Sequence, residues 1–197
     1  MKIGVLALQG AVAEHIRLIE KAGAEGVIVK RLEQLDELDG LIIPGGESTT
    51  IGKLMRRYGF LEGIRSFAGS GKPVFGTCAG LILLADEIDG QDEAHLRLMD
   101  MKVVRNAYGR QRESFETNLP IEGIDEPVRA VFIRAPLIER VGDGVRVLCE
   151  YQGSIVAARQ GHLLAASFHP ELTDDERMHR YFADMVTESL PMQASGK

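Results

Sequence analysis

Short apolar runs alternate with stretches of helical spacing through the first half of the chain. Lys2 to Leu8 reads as a buried strand; Val12, Ile16 and Ile19 then recur at helical intervals among charged residues until Gly23 stops the helix. Gly26 to Lys30 and Leu41 to Pro44 predict a second and a third strand. Gly45-Gly46 opens a loop into a helix over Ser48 to Arg57, and a further amphipathic stretch, Leu61 to Phe67, leads to a strand at Val74-Phe75. Strands alternating with helices predict an α/β fold with a mostly parallel central sheet and helices on both faces, a three-layer sandwich.

The second half changes character. Val103-Val104, Val128 to Ile133, Val145 to Cys149, Ser154 to Ala158 and Leu163 to Phe168 are short strand candidates, so some antiparallel pairing is expected. Arg159 to His162 reads as the hairpin turn between the last two. A final helix is predicted from Met178, Tyr181, Phe182, Met185 and Val186, with Thr173 and Glu176 as its capping box. No repeat or linker interrupts the pattern, which predicts one domain over 1–190 and a frayed tail over 191–197.

One segment carries more than packing. Pro73 to Ala85 reads P-V-F-G-T-C-A-G-L-I-L-L-A, an apolar strand that turns through Gly76-Thr77-Cys78-Ala79-Gly80 directly into an apolar helix. This is the nucleophile-elbow pattern with cysteine in place of serine. Glycines two residues either side of Cys78 allow strand and helix to pack closely, and the helix N-terminus favours thiolate. Cys149, inside an apolar run, reads instead as a small core residue.

A thiol nucleophile needs a base and a group to aim it. His169 follows the predicted strand end in Ala166-Ser167-Phe168-His169-Pro170-Glu171, at the carboxyl edge of the sheet where ligands of open α/β folds bind. Pro170 restricts its backbone, and Glu171 can hold the imidazole tautomer, giving a Cys78-His169-Glu171 triad. His15 and His179 lie on predicted helices among charged residues and read as solvated; His95 falls in a polar loop and His162 in a turn. No metal-ligand spacing accompanies His169, so a metal site is not expected. For the oxyanion, the Ala79 N–H after the nucleophile is the first candidate donor, and the Gly45-Gly46 turn at the same sheet edge, through Gly46, is the second.

Charge and composition narrow the partners. A net charge of −6 without a long Lys/Arg run argues against nucleic acid, Arg105, Arg110 and Arg112 forming only a local patch. No apolar run approaches the roughly 20 residues of a membrane span. The Ile3 to Leu8 run is interrupted by Gln9 and reads as a strand, not a leader. Two cysteines of different roles suit a reducing compartment, and a cytoplasmic location is expected.

G-T-C-A-G at 76–80, F-H-P-E at 168–171 and P-G-G at 44–46 resemble the class I, triad-type glutamine amidotransferases. L-Q-G-A-V at 8–12, P-G-G-E-S-T-T at 44–50, G-R-Q at 109–111 and F-I-R-A-P at 132–136 are similar to one branch of them, the glutaminase subunits of pyridoxal 5′-phosphate synthase. The resemblance implies the flavodoxin-like class I amidotransferase fold. It implies Cys78 attacking the side-chain amide of L-glutamine, His169 as base then acid, Glu171 orienting it, and no cofactor. It further implies L-glutamine contacts from Gly46, Glu47, Ser48, Arg105, Ile133 and Arg134. It implies a separate barrel-shaped synthase subunit as the ammonia acceptor, since one amidase domain leaves nothing to accept ammonia. The loops at Asp86–Asp100 and Asn106–Asn118, with the Gly45-Gly46 turn, are the expected docking face.

Alternatives remain at this stage. A glutaminase of another amidotransferase, such as that of histidine biosynthesis, shares the elbow and H-P-E. A stand-alone cysteine hydrolase of related fold would draw its acid from after the first strand, where Glu14 stands. A glutamine-sensing or scaffold subunit would be expected to lack part of the triad.

Overall fold

The computed structural model describes residues 1–108 and 114–192. The G-R-Q segment, Arg110, Arg112 and most of the predicted tail lie outside them.

The strands are β1 (Lys2–Leu6), β2 (Glu25–Val29), β3 (Gly40–Ile43), β4 (Val74–Thr77), β5 (Ala85–Ile88), β6 (Met99–Val104), β7 (Ser114–Leu119), β8 (Val128–Ile133), β9 (Leu137–Val141), β10 (Arg146–Tyr151), β11 (Ser154–Gln160) and β12 (Leu163–Ala166). The α-helices are α1 (Val12–Lys21), α2 (Ser48–Arg57), α3 (Phe60–Gly69), α4 (Ala79–Leu84) and α5 (Arg177–Ser189), with short 3-10 turns at Leu32–Glu37 and Pro170–Leu172.

The main sheet runs β2-β1-β3-β4-β12-β11-β9-β6-β5, with β10 pairing to β11. From β2 to β12 every pairing is parallel; β11 then reverses the direction against β12, β10 and β9. β7 and β8 form a separate antiparallel ribbon. The mostly parallel centre with antiparallel strands in the second half agrees with the expectation from the sequence.

Alternation along the central strands feeds two cores. Leu41, Ile43, Val74, Leu163 and Ala165 face a core shared with α2, α3 and α4. Ile42, Phe75, Leu164 and Ala166 face another, closed by α1, α5 and the β7–β8 ribbon. Both faces being apolar is the signature of a covered parallel sheet.

Several local expectations are corrected. β5, β7 and β9 were not predicted; their sequences A-D-E-I, S-F-E-T-N-L and L-I-E-R-V carry exposed charged or polar residues that dilute the apolar signal. β5 and the start of β6 also fall within the segment expected to be a loop, 86–100. The Thr173–Glu176 capping box does not form: α5 begins at Arg177, whose N–H is taken by Asp175, while Thr173 Oγ1 accepts from the Asp175 N–H. Glu176 is drawn instead into ion pairs with Lys21 and Arg180.

Candidate active site

β3, β4 and β12 end side by side, and three chain segments meet there. At the end of β4 the chain reverses through Cys78, whose φ of 52° and ψ of −107° are a strained conformation for a residue with a side chain. Such strain persists only where the surroundings enforce it, and here they do. The Cys78 N–H donates to Ala166 O at 2.9 Å, tying the elbow to β12. Leu81 N–H returns to Cys78 O at 3.1 Å and begins α4. The flanking glycines serve close approach, not positive φ: a Cβ on Gly76 would overlap the Gly80 carbonyl, and one on Gly80 would overlap the Ile43 oxygen.

His169 lies just beyond β12, pinned by its own N–H to Val131 O at 2.7 Å. Its Nδ1 is 2.6 Å from Glu171 Oε1. That leaves Nε2 free of Glu171, while the Cys78 thiol donates to Ile133 O at 3.8 Å and its Cβ and the His169 ring both lie against Gly45. Burial alone lowers the pKa of His169; hydrogen bonds and charge from Cys78 and Glu171 more than reverse this, pushing it up to about 10. The three predicted triad members therefore converge, with Cys78 7% and Glu171 1% exposed. Glu14, the acid of the alternative hydrolase reading, is exposed on α1.

Gly45 explains the fit. Its missing Cβ would lie 2.6 Å from His169 Cε1 and 3.5 Å from Cys78 Cβ, so the turn after β3 closes directly over the thiol and imidazole. Gly46 takes a φ of 138°, available to glycine, and its missing Cβ would be 2.5 Å from Gln9 Oε1. Gln9 Oε1 also accepts the Glu47 N–H at 2.7 Å. Gln9 thus fixes the turn from below; the sequence showed it as an interruption after the first strand and as one residue of the L-Q-G-A-V resemblance, with no role of its own.

The other predicted contact residues ring this turn. Glu47 caps α2, accepting from the Thr49 and Thr50 N–H groups and the Thr50 hydroxyl, and that hydroxyl holds its pKa below the usual carboxylate value. Ser48 is buried in the first turn of α2. Arg105 donates to Thr49 Oγ1 at 3.2 Å from across the cleft. Ile133 presents its carbonyl 3.8 Å from Cys78 Sγ, and Arg134 follows with a φ of 44°, a second strained residue beside the thiol.

His15 and His179 are corrected most sharply. Both are buried, at 0% and 1% exposure, and His15 Nδ1 lies 2.8 Å from His179 Nε2. His15 and Val12, Ile16 and Ile19 share one face of α1; His179 and Phe182, Ala183 and Val186 share one face of α5. The helical spacing that would have placed both inside was present, outweighed by their charged sequence neighbours.

A family model for SNO glutamine amidotransferases matches residues 5–188. The chain belongs to this family. It is 78% identical over 189 residues to the pyridoxal 5′-phosphate synthase subunit PdxT of Niallia circulans, covering 96% of this chain and all of the relative. It is 65% identical over 195 residues to the subunit of the same name from Halalkalibacterium halodurans, covering 99% of this chain and all of that one. A crystal structure of a glutamine amidotransferase superposes with a TM-score of 0.89 at 49% identity, over 94% of this chain and 98% of the other. The PurLQS structure from Thermotoga maritima, at 19% identity and a TM-score of 0.68 over 95% of this chain and 96% of the other, shares the fold. The amidotransferase assignment read from the elbow and H-P-E segments stands, and the chain is a glutaminase-type enzyme.

Proposed function

We propose that this amidotransferase hydrolyses L-glutamine and delivers the ammonia to a synthase partner making pyridoxal 5′-phosphate. The carrying observation is the convergence of Cys78, His169 and Glu171 beneath the Gly45-Gly46 turn, with His169 Nδ1 held at 2.6 Å by Glu171 Oε1.

Cys78 Sγ attacks the side-chain carboxamide carbon, and His169 takes the thiol proton. The developing oxyanion is held by the N–H groups of Ala79 and Gly46. His169 returns the proton to the amide nitrogen, the C–N bond breaks, and ammonia leaves a glutamyl thioester. Water, deprotonated by His169, attacks the thioester carbon; glutamate departs and the thiol is restored. Glu171 keeps the Nδ1 proton of His169 in place throughout. Gly46, Glu47, Ser48, Arg105, Ile133 and Arg134 form the glutamine pocket, the arginines suiting the substrate carboxylate.

The partner reading rests on the relatives named as pyridoxal 5′-phosphate synthase subunits. We assign residues 1–190 to one glutaminase domain working in the cytoplasm, where its two free cysteines stay reduced. Among the described residues no helix is long and apolar enough to cross a membrane. The docking face comprises the Gly45-Gly46 turn and the segments 86–100 and 106–118, of which 109–113 lie outside the described residues. Glutamine hydrolysis measured with and without the barrel synthase tests this: a higher rate with it is expected, and equal rates overturn partner gating. Loss of hydrolysis in Cys78→Ala tests the chemistry itself.

A further inference from the structure

The triad does not end at Glu171. Oε1 of this buried carboxylate is taken by His169, while Oε2 is without a hydrogen-bond partner. Facing Oε2 at 3.6 Å stands His15 Nε2, and beyond His15 lies His179. A carboxylate oxygen sealed from water needs a donor, so the pair of histidines invites an explanation beyond core filling.

The protonation pattern follows from counting donors. His15 Nε2 has Glu171 Oε2 at 3.6 Å and Thr77 Oγ1 at 3.4 Å, both able to accept. Were the His15 proton on Nδ1, it would go to His179 Nε2. The N–H of His179 would then sit on Nδ1, a buried atom that has no partner among the described residues. In that arrangement a lone pair of His15 would also face the carboxylate. With the protons on both Nε2 atoms, His179 donates to His15, His15 points its N–H at Glu171, and only a lone pair on His179 Nδ1 is left unused. The second pattern leaves fewer buried groups unsatisfied.

We propose that the His15–His179 pair positions Glu171: His179 Nε2–H donates to His15 Nδ1, and His15 Nε2–H is directed at the Glu171 oxygen that His169 leaves open. This inference rests on the reading that Glu171 aims His169 at Cys78. Both histidines are neutral, because burial and mutual repulsion lower the His15 pKa well below 6.5, and burial takes that of His179 to about 3. Neutrality matters. A neutral donor steadies the carboxylate without cancelling the charge that holds the His169 imidazolium, which an arginine here would do. The long 3.6 Å separation is of the kind that tightens when substrate engages. The polar contacts of this histidine pair run between the two rings and on to Thr77 and Glu171, so they act through Glu171 as positioning residues.

The tautomers are tested directly by long-range ¹⁵N–¹H NMR of histidine-labelled wild-type protein at pH 7. Neutral rings with Nε2 protons on both residues are expected; a cationic His15, or its proton on Nδ1, overturns the proposal. The functional arm compares His15→Leu, which removes the donor, with His15→Gln, which restores an N–H, each assayed with the synthase partner. A fall in kcat of roughly 10- to 100-fold in the leucine variant, with KM for glutamine little changed and most of the rate regained in the glutamine variant, is expected. An unchanged kcat in His15→Leu, or an equal loss in both variants, overturns it. Should the leucine variant not fold, the wild-type spectrum decides. A wild-type enzyme inert towards glutamine would instead refute the glutaminase reading, and the tautomer result would stand apart from it.

Discussion

Gly80 sits so close beneath Ile43 that a Cβ at residue 80 would overlap the Ile43 carbonyl oxygen. The elbow is therefore held from the neighbouring strand, not only by its own turn. Gly80→Ala is expected to destabilise the protein by about 3 kcal/mol, as overpacking against rigid backbone does. A shifted denaturant midpoint at unchanged slope checks this; no shift would show that the strands part easily.

Gly45→Ala should act differently. Its new methyl would meet the His169 ring at 2.6 Å, a side chain able to move, so the damage falls on alignment rather than stability. We expect kcat to fall up to roughly 100-fold, the effect of about 1 Å of misplacement, with a far smaller change in melting temperature. Steady-state kinetics beside thermal melts distinguish the two effects.

The two cysteines should separate chemically. Burial pushes the Cys149 thiol up to about 11, leaving it unreactive at neutral pH, whereas Cys78 stands at the elbow beside the His169 ring under Gly45. A diazo-ketone analogue of glutamine is expected to alkylate Cys78 alone, read by peptide mass spectrometry. Modification of Cys149, or of neither, would contradict the assignment.

Stability should peak near pH 6.5, with histidines responsible on both sides. His15 and His179 have folded pKa values below the unfolded one, so the unfolded state takes up protons first and stability falls as pH drops below about 6.5. His169 is raised to about 10, so its contribution is full below about 6.5 and is lost as pH climbs towards 10. Chemical denaturation across pH 4.5–9.5 tests the shape, and His179→Gln should flatten the acid limb while leaving the alkaline limb in place.

Gln9→Leu removes the acceptor for the Glu47 N–H, and with it the brace under Gly46. One neutral hydrogen bond contributes about 1 kcal/mol, so folding should survive. Glutamine turnover should fall roughly tenfold because Gly46 loses its fixed orientation. An unaffected turnover would mean the turn holds itself.

What the sequence made legible follows from where information is local. Gly76, Cys78 and Gly80 lie within one turn, and His169 and Glu171 within three residues, so their relation can be read along the chain. Val128–Ile133 and Ser48–Arg57 matched their predicted bounds because an apolar run marks the first and the Gly45-Gly46 pair marks the approach to the second. β5, β7 and β9 were missed because edge or one-faced strands admit charge, as in Leu137-Ile138-Glu139-Arg140-Val141. Gln9 gained meaning only through a partner 38 residues away, and His15 only through one 164 away. The burial of both histidines is written in helical spacing: His15 falls on the α1 face of Leu18 and Ile19, and His179 on the α5 face of Phe182 and Val186.

The imidazole pair joins the first helix of the chain to the last. During synthesis, then, a ribosome-bound polypeptide carrying cysteine, glycine turn and H-P-E would still lack the closing piece until residue 179 had emerged and docked. Half-made molecules should turn over glutamine far more slowly than finished ones.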